Sequence, residues 1–150
     1  MKNLLTKSAL ENYFNLFIKY SEKTEHLLLL VARLWIANIF WKSGILKFND
    51  FETAVFLFTE EHPVPFLPAE FAAISAIIFE LGCPILLALG FASRLAVLPL
   101  IVMTLVIQFT YLEHNDHFYW IMLLGFILVR SAGFFSLDYF LKRKFFIVKN

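Results

Sequence analysis

Apolar residues along this chain gather into four blocks separated by short polar interruptions. The blocks cover about residues 27–45, 70–89, 95–112 and 118–135. Each is close to the roughly 20 residues a helix needs to cross a hydrocarbon core. In the first block Arg33, Ala37, Phe40, Gly44 and Lys47 recur at helical spacing. At about 100° per residue they fall on one stripe, the natural inward face. Lys42 falls on the opposite side, near enough to the helix end to snorkel.

The polar interruptions carry their own signals. In residues 1–26, Leu10, Tyr13, Phe14 and Phe17 recur at helical spacing among Lys2, Lys7, Lys19 and Lys23. That pattern reads either as an amphipathic helix lying in the membrane interface or as a disordered tail. In residues 46–69, Asn49 or Asp50 is a candidate cap for a short helix through Phe58. The apolar run Ala54 to Phe58 is too short to span, so it belongs in the interface or folded over the bundle mouth. Pro63, Pro65 and Pro68 break the chain before the second block. Gly90 is a natural helix stop before the third. Pro99 falls in the first turns of that block, and Tyr111, Tyr119 and Trp120 suit an interfacial aromatic belt.

The expected fold is therefore all-α: a four-helix transmembrane bundle preceded by an N-terminal interfacial amphipathic helix. Residues 27–140 form the membrane domain, and 141–150 a basic tail. Lys and Arg set the orientation. The N-terminal segment has four lysines, and the C-terminal tail has Lys142, Arg143, Lys144 and Lys149. The second connection carries Arg94, the first only Lys47, and the third none. Both termini and the Arg94 turn are thus expected in the cytoplasm.

Composition agrees with the pattern. The 150 residues are 60% hydrophobic, with 19 phenylalanines and a mean hydropathy of +0.73. A net charge of +1 gives no electrostatic footprint for nucleic acid. The single Cys83 excludes an internal disulfide or a CxxC redox pair. No cleavable signal peptide is evident.

Glu80 near the centre of the second block carries the candidate chemistry. A charge at mid-membrane costs about 2.5 to 3.5 kcal/mol on insertion scales, so it is expected to be paired, protonated or functional. Pro84 leaves the Glu80 carbonyl without its helical donor. Counting helical rise from the outer ends, Arg33 lies about 20 Å deep, Glu80 about 15 Å and Arg130 about 18 Å. One shared layer predicts an Arg33–Glu80–Arg130 cluster, a carboxylate compensated by two guanidiniums. Such a cluster either fixes helix register or forms an anion site, a quinone-headgroup site or a proton path. Arg94 and Asp138 are expected to pair structurally near the cytoplasmic face, with Ser136 an alternative cap for the helix carrying Asp138.

His114 and His117, beside Glu113 and Asp116, are weak candidates for a metal, with His62 able to join; a solvated polar loop is the alternative. No histidine lies well inside a block, which disfavours bis-His haem. Nucleotide-binding loops and a nucleophile elbow are absent from the sequence.

Arg33, Phe40, Gly44 and Lys47 resemble the first-helix pattern of the DoxX family. Glu80, Gly82, Leu86, Leu87, Gly90 and Arg94 are similar to its second-helix motif. Ser136, Leu137 and Asp138 resemble its closing S-L-D, although Ser131 replaces the first glycine of the family's preceding G-x-G while Gly133 is kept. The resemblance spans about residues 27–140. It implies a multi-pass protein of the bacterial inner membrane, some of whose relatives are subunits of thiosulfate:quinone oxidoreductase or associate with oxidative-stress enzymes. Arg33, Gly44, Lys47, Glu80, Arg94 and Arg130 are the binding candidates, and Glu80 the candidate proton relay.

Two readings follow. In the first, the chain is a membrane subunit of a quinone- or sulfur-linked redox system. It binds no covalent cofactor and is no complete enzyme alone, so a soluble oxidoreductase or another membrane subunit supplies electrons. In the second it is a non-catalytic membrane scaffold for a partner. A small transporter is a weaker third, since four spans would need to oligomerise. Lipid is an expected neighbour in every case, and a homo-oligomer is compatible with all three.

Overall fold

The computed structural model describes residues 2–61, 63–64, 66–110 and 116–147; side chains are described from residue 12 onward, apart from Thr110 and residues 146–147. The described residues form helices and no strand. Helix α1 runs Lys2–Asn49, α2 Phe51–Phe56, α3 Ala69–Leu89, α4 Ser93–Thr110, α5 Asp116–Arg130 and α6 Leu137–Lys142. Single π-type turns, Leu57–Glu61 and Arg143–Ile147, extend α2 and α6.

α1 is one helix where the sequence suggests two segments. No glycine or proline occurs before Gly44, so nothing stops the helix at residue 26. Its first part projects beyond the bundle: Tyr13, Phe14, Phe17 and Tyr20 are all exposed. Asp50 then caps α2, accepting from the Thr53 backbone N–H at 3.0 Å and the Thr53 hydroxyl at 2.7 Å. α3 ends on Gly90 in the left-handed region (φ 68°), where Phe91 N donates to Leu86 O and Gly90 N to Leu87 O.

α5 stops at Arg130, five residues before the end its apolar block suggests. Ser131 takes φ 66° and Gly133 φ 72°. The chain therefore turns where the family's G-x-G would, although the first position lacks glycine's freedom. Ser136 accepts from Tyr139 N at 3.2 Å and caps α6, as its sequence position suggests.

α1 packs mainly on α3, and α4 on α5 and α3. Ile36 and Phe40 of α1, Leu87 of α3, Leu100 of α4 and Leu124 and Ile127 of α5 meet in one core. Gly44 sets the α1–α3 distance: a Cβ there would lie 3.0 Å from Glu80 Cβ and 2.9 Å from Leu81 Cδ2. α1 (over Asn12–Asn49) and α3 are long and apolar enough to cross a membrane; Ser93–Phe109 of α4 is a shorter apolar helix.

Candidate functional site

Two polar centres lie inside the bundle, at different levels. The first joins α1 and α3. Lys47 Nζ donates to both Glu80 oxygens, at 3.0 Å to Oε1 and 2.9 Å to Oε2, and to Ser43 Oγ at 2.6 Å. These three bonds use all the donors of an ammonium. The Glu80 side chain is 2% exposed and that of Lys47 15%. Gly44 lies between them on α1, and its missing Cβ lets the backbone come close enough for the lysine to reach. The pair borders a cavity of about 190 Å³, apolar apart from the pair and Ser75, whose walls include Phe58, Leu67, Phe79 and Met103. The segment after α2 thus covers the pair, one of the two placements its sequence suggests.

The second centre lies at the opposite end, around the α3–α4 turn. Arg33 is fully buried, and its Nη2 donates to the Phe135 carbonyl. Its Nη1 packs against Gly90, where a Cβ would come within 2.1 Å. Arg33 Nε and Nη1 have no hydrogen-bond partner among the described residues. Asp138 caps α4, accepting from Ala92 N at 2.9 Å and Ser93 N at 3.4 Å. The Asp138 backbone N–H donates to Gly90 O at 3.1 Å. The turn and the start of α6 are therefore interlocked over a buried guanidinium.

The predicted Arg33–Glu80–Arg130 cluster is not formed, and side-chain direction explains why. Helical side chains lean toward their own N-terminus. On α1 this carries Lys47 back toward Ser43 and carries Arg33 away from the middle. α3 runs antiparallel, so Glu80 leans toward Lys47. Counting Cα levels alone puts the wrong cation opposite the carboxylate. α1 also continues four residues past the expected end, to Asn49, which sets Arg33 deeper than the count assumed. Arg130 ends α5 and pairs with Glu25 on the projecting part of α1, half exposed.

Arg94 does not pair with Asp138 either: its Nη2 donates to Val129 O at 3.1 Å, on the exposed side of α5. The backbone N–H groups at the start of α4 take the Asp138 carboxylate instead. Ser43, Glu25 and the Phe135 carbonyl were absent from the sequence candidates. Ser43 carried a signal, standing one helical turn before Lys47.

His114, Glu113 and His62 lie outside the described residues, as do Tyr111 and Leu112. His117 is buried at the start of α5, edge-on to Trp120 with ring centroids 4.9 Å apart. Among the described residues no group of three His, Cys, Asp or Glu converges. Cys83 is a buried free thiol packed in the core.

Two apolar helices of spanning length with an ion pair buried between them suit a helical membrane protein that keeps charge in its interior. The family model of DoxX matches residues 28–112, over half the chain, and the chain belongs to that family. The match covers both partners of the Lys47–Glu80 pair and Gly90; α5 and the Ser136–Asp138 motif lie beyond it. No curated protein and no solved structure matches the chain.

Proposed function

We propose that the chain is a four-span protein of the bacterial inner membrane, with α1, α3, α4 and α5 crossing and both termini in the cytoplasm. Its role is that of a membrane subunit in a quinone- or sulfur-linked redox system. The cavity beside Lys47 and Glu80 receives the head of a quinone. The observation that carries this reading is a buried ion pair at the wall of a cavity that is apolar but for the pair and Ser75.

The site's charge narrows the ligand. One ammonium facing one carboxylate is balanced, so an anion entering would be repelled as much as held, whereas a neutral carbonyl compound is not. Lys47 can turn a donor from Ser43 to a quinone oxygen, and Glu80 can take or give a proton there. Phe58 and Phe79 supply apolar walls for the ring. About 190 Å³ suits a head group, with an apolar tail leaving between helices. The residues supply a proton and a polarising charge, and electrons come from a partner oxidoreductase.

The test is native mass spectrometry of gently solubilised protein, with lipid extraction alongside. A co-purifying quinone, lost in Glu80→Gln, supports the site. No bound quinone, together with unchanged membrane redox activity in Glu80→Gln, removes the proposal.

The scaffold reading also has an observation behind it. The projecting part of α1 carries exposed Tyr13, Phe14 and Phe17, held in place by Arg130 on Glu25. A soluble partner recovered with the intact chain, and lost when residues 1–20 are removed, would support that role instead.

A further inference from the structure

Asn38 stands near the middle of α1, eleven residues before its end at Asn49. At 1.5 Å per residue that is about 16 Å, half the thickness of a hydrocarbon core. Its side chain is exposed on the outside of the bundle and has no hydrogen-bond partner among the described residues. Hydrocarbon offers no partner for a carboxamide, so an amide there carries an uncompensated desolvation cost. Asn12 and Asn15 are exposed too, but on the projecting first part of α1; from residue 27 onward no other exposed Asn or Gln stands in the interior of the four long helices among the described residues.

The surroundings are shaped to receive a helix. Asn38 lines an open groove between α1 and α3, about 400 Å³ in volume. The small side chains of Ala37, Pro84 and Ala88 form its floor, and Leu34, Trp41 and Ile85 rise beside it. Small residues permit close helix approach in lipid, where packing and interhelical hydrogen bonds drive association.

We propose that this groove is the interface of a homodimer, with Asn38 of each copy hydrogen-bonded to Asn38 of the other across a two-fold axis. A carboxamide is donor and acceptor at once. Two of them facing across a two-fold satisfy each other, as an isologous contact requires. A second copy brings the matching amide at the same depth by construction. Another protein's helix or a lipid tail would have to supply one separately, or leave the amide bare. The interface lies outside the core and away from the Lys47–Glu80 cavity, so pairing leaves that cavity accessible. The inference rests on the proposal that α1 crosses the bilayer.

The experiment uses the full chain in phosphatidylcholine vesicles, labelled with donor and acceptor dyes at the C-terminus. Energy transfer is followed as protein is diluted with lipid. The expected result is saturable transfer whose dissociation constant rises about three- to thirtyfold in Asn38→Leu, the range of interhelical polar contacts in membranes. Asn38→Gln should recover part of it. Leu34→Cys in a Cys83→Ser background should cross-link to a dimer under oxidation, and Val102→Cys on the far face should not. Transfer no higher than random proximity, or indifferent to Asn38→Leu, overturns the dimer, as does equal cross-linking at both cysteines. Asn38→Leu exchanges an outward-facing residue, so the fold is retained and a helical far-UV spectrum confirms it. In the same vesicles, Trp35→Cys in the Cys83→Ser background, exposed on α1 outside the groove, should be shielded from a membrane-impermeant maleimide until detergent is added, which shows that the middle of α1 lies in the bilayer. Labelling without detergent shows instead that the spanning proposal has failed, separately from the dimer.

Discussion

Removing either member of the Lys47–Glu80 pair should destabilise the protein strongly, and removing both should not. The three donors of the ammonium are all engaged, two by Glu80 and one by Ser43, at 2.6 to 3.0 Å. Breaking a buried pair on one side costs about 3 to 5 kcal/mol, because the remaining charge is stranded. The two exposures place each variant within that range. Lys47, 15% exposed and near the end of α1, can swing outward and regain some solvation. Glu80→Gln therefore falls near the lower bound, about 3 kcal/mol. The Glu80 side chain is 2% exposed and eleven residues inside α3, with no such exit. Lys47→Met therefore falls near the upper bound, about 5 kcal/mol. The double variant Lys47→Met/Glu80→Gln leaves no stranded charge and should lie within about 1 kcal/mol of the parent. The assay is reversible unfolding in mixed micelles, read by tryptophan fluorescence, with the four proteins forming a double-mutant cycle. A coupling below about 1 kcal/mol, the value of a solvent-exposed pair, would refute the claim that the two residues form a buried unit.

Four further outcomes can be checked. Gly90→Ala should destabilise by at least about 3 kcal/mol, since it forces a side chain into the left-handed region and against Arg33 and the Ser136 backbone; thermal unfolding in detergent reads it. Ser131→Gly should stabilise by about 1 kcal/mol in the same measurement, by relieving φ 66° at a residue with a Cβ. Asp138→Ala should cost about 1 to 2 kcal/mol and speed amide hydrogen exchange at Ala92 and Ser93, whose N–H groups it leaves uncapped. The hydrogen bonds from the Thr53 backbone N–H, then its hydroxyl, hold the Asp50 carboxyl below its ordinary value. A depressed folded value means the α2 cap is fully present above about pH 4, the ordinary aspartate range, and is lost as pH falls through the lower folded value. The protection factor of the Thr53 amide, its rate corrected for intrinsic exchange, should fall only there, and in Asp50→Asn it should not change with pH.

Element positions were legible because block length and capping chemistry are local. Asp50, Gly90 and Ser136 announced their turns by residue type, and each sits where that chemistry places it. The end of α5 was misplaced because Phe134 and Phe135 continue the apolar run, and hydropathy does not register a backbone that turns inside it. The site was half legible. Glu80 stood out as a charge in an apolar block, and Gly44 and Lys47 lay on the inward stripe of the first block, with Arg33. Its partner was misassigned because depth was counted along the backbone, whereas a lysine or arginine head group sits several ångströms from its Cα, in a direction set by the helix polarity. Arg130 looked buried for the same reason that α5 looked longer: both depended on where the helix stops.

The span of sequence between Arg33 and the Phe135 carbonyl, 102 residues, is also a span of time. At about 5 to 20 residues per second, roughly 5 to 20 s separate synthesis of the guanidinium from synthesis of its acceptor. Lys47 waits for Glu80 over only 33 residues, about a third as long. The growing chain can therefore zip α1 to α3 well before Arg33 has anything to hold. Until the last helix arrives the arginine belongs with water or lipid head groups, and the arrival of Phe135 is what lets it be sealed in. A chain truncated after α4 carries a charge with no lock, a natural mark by which membrane quality control could tell an unfinished bundle from a finished one.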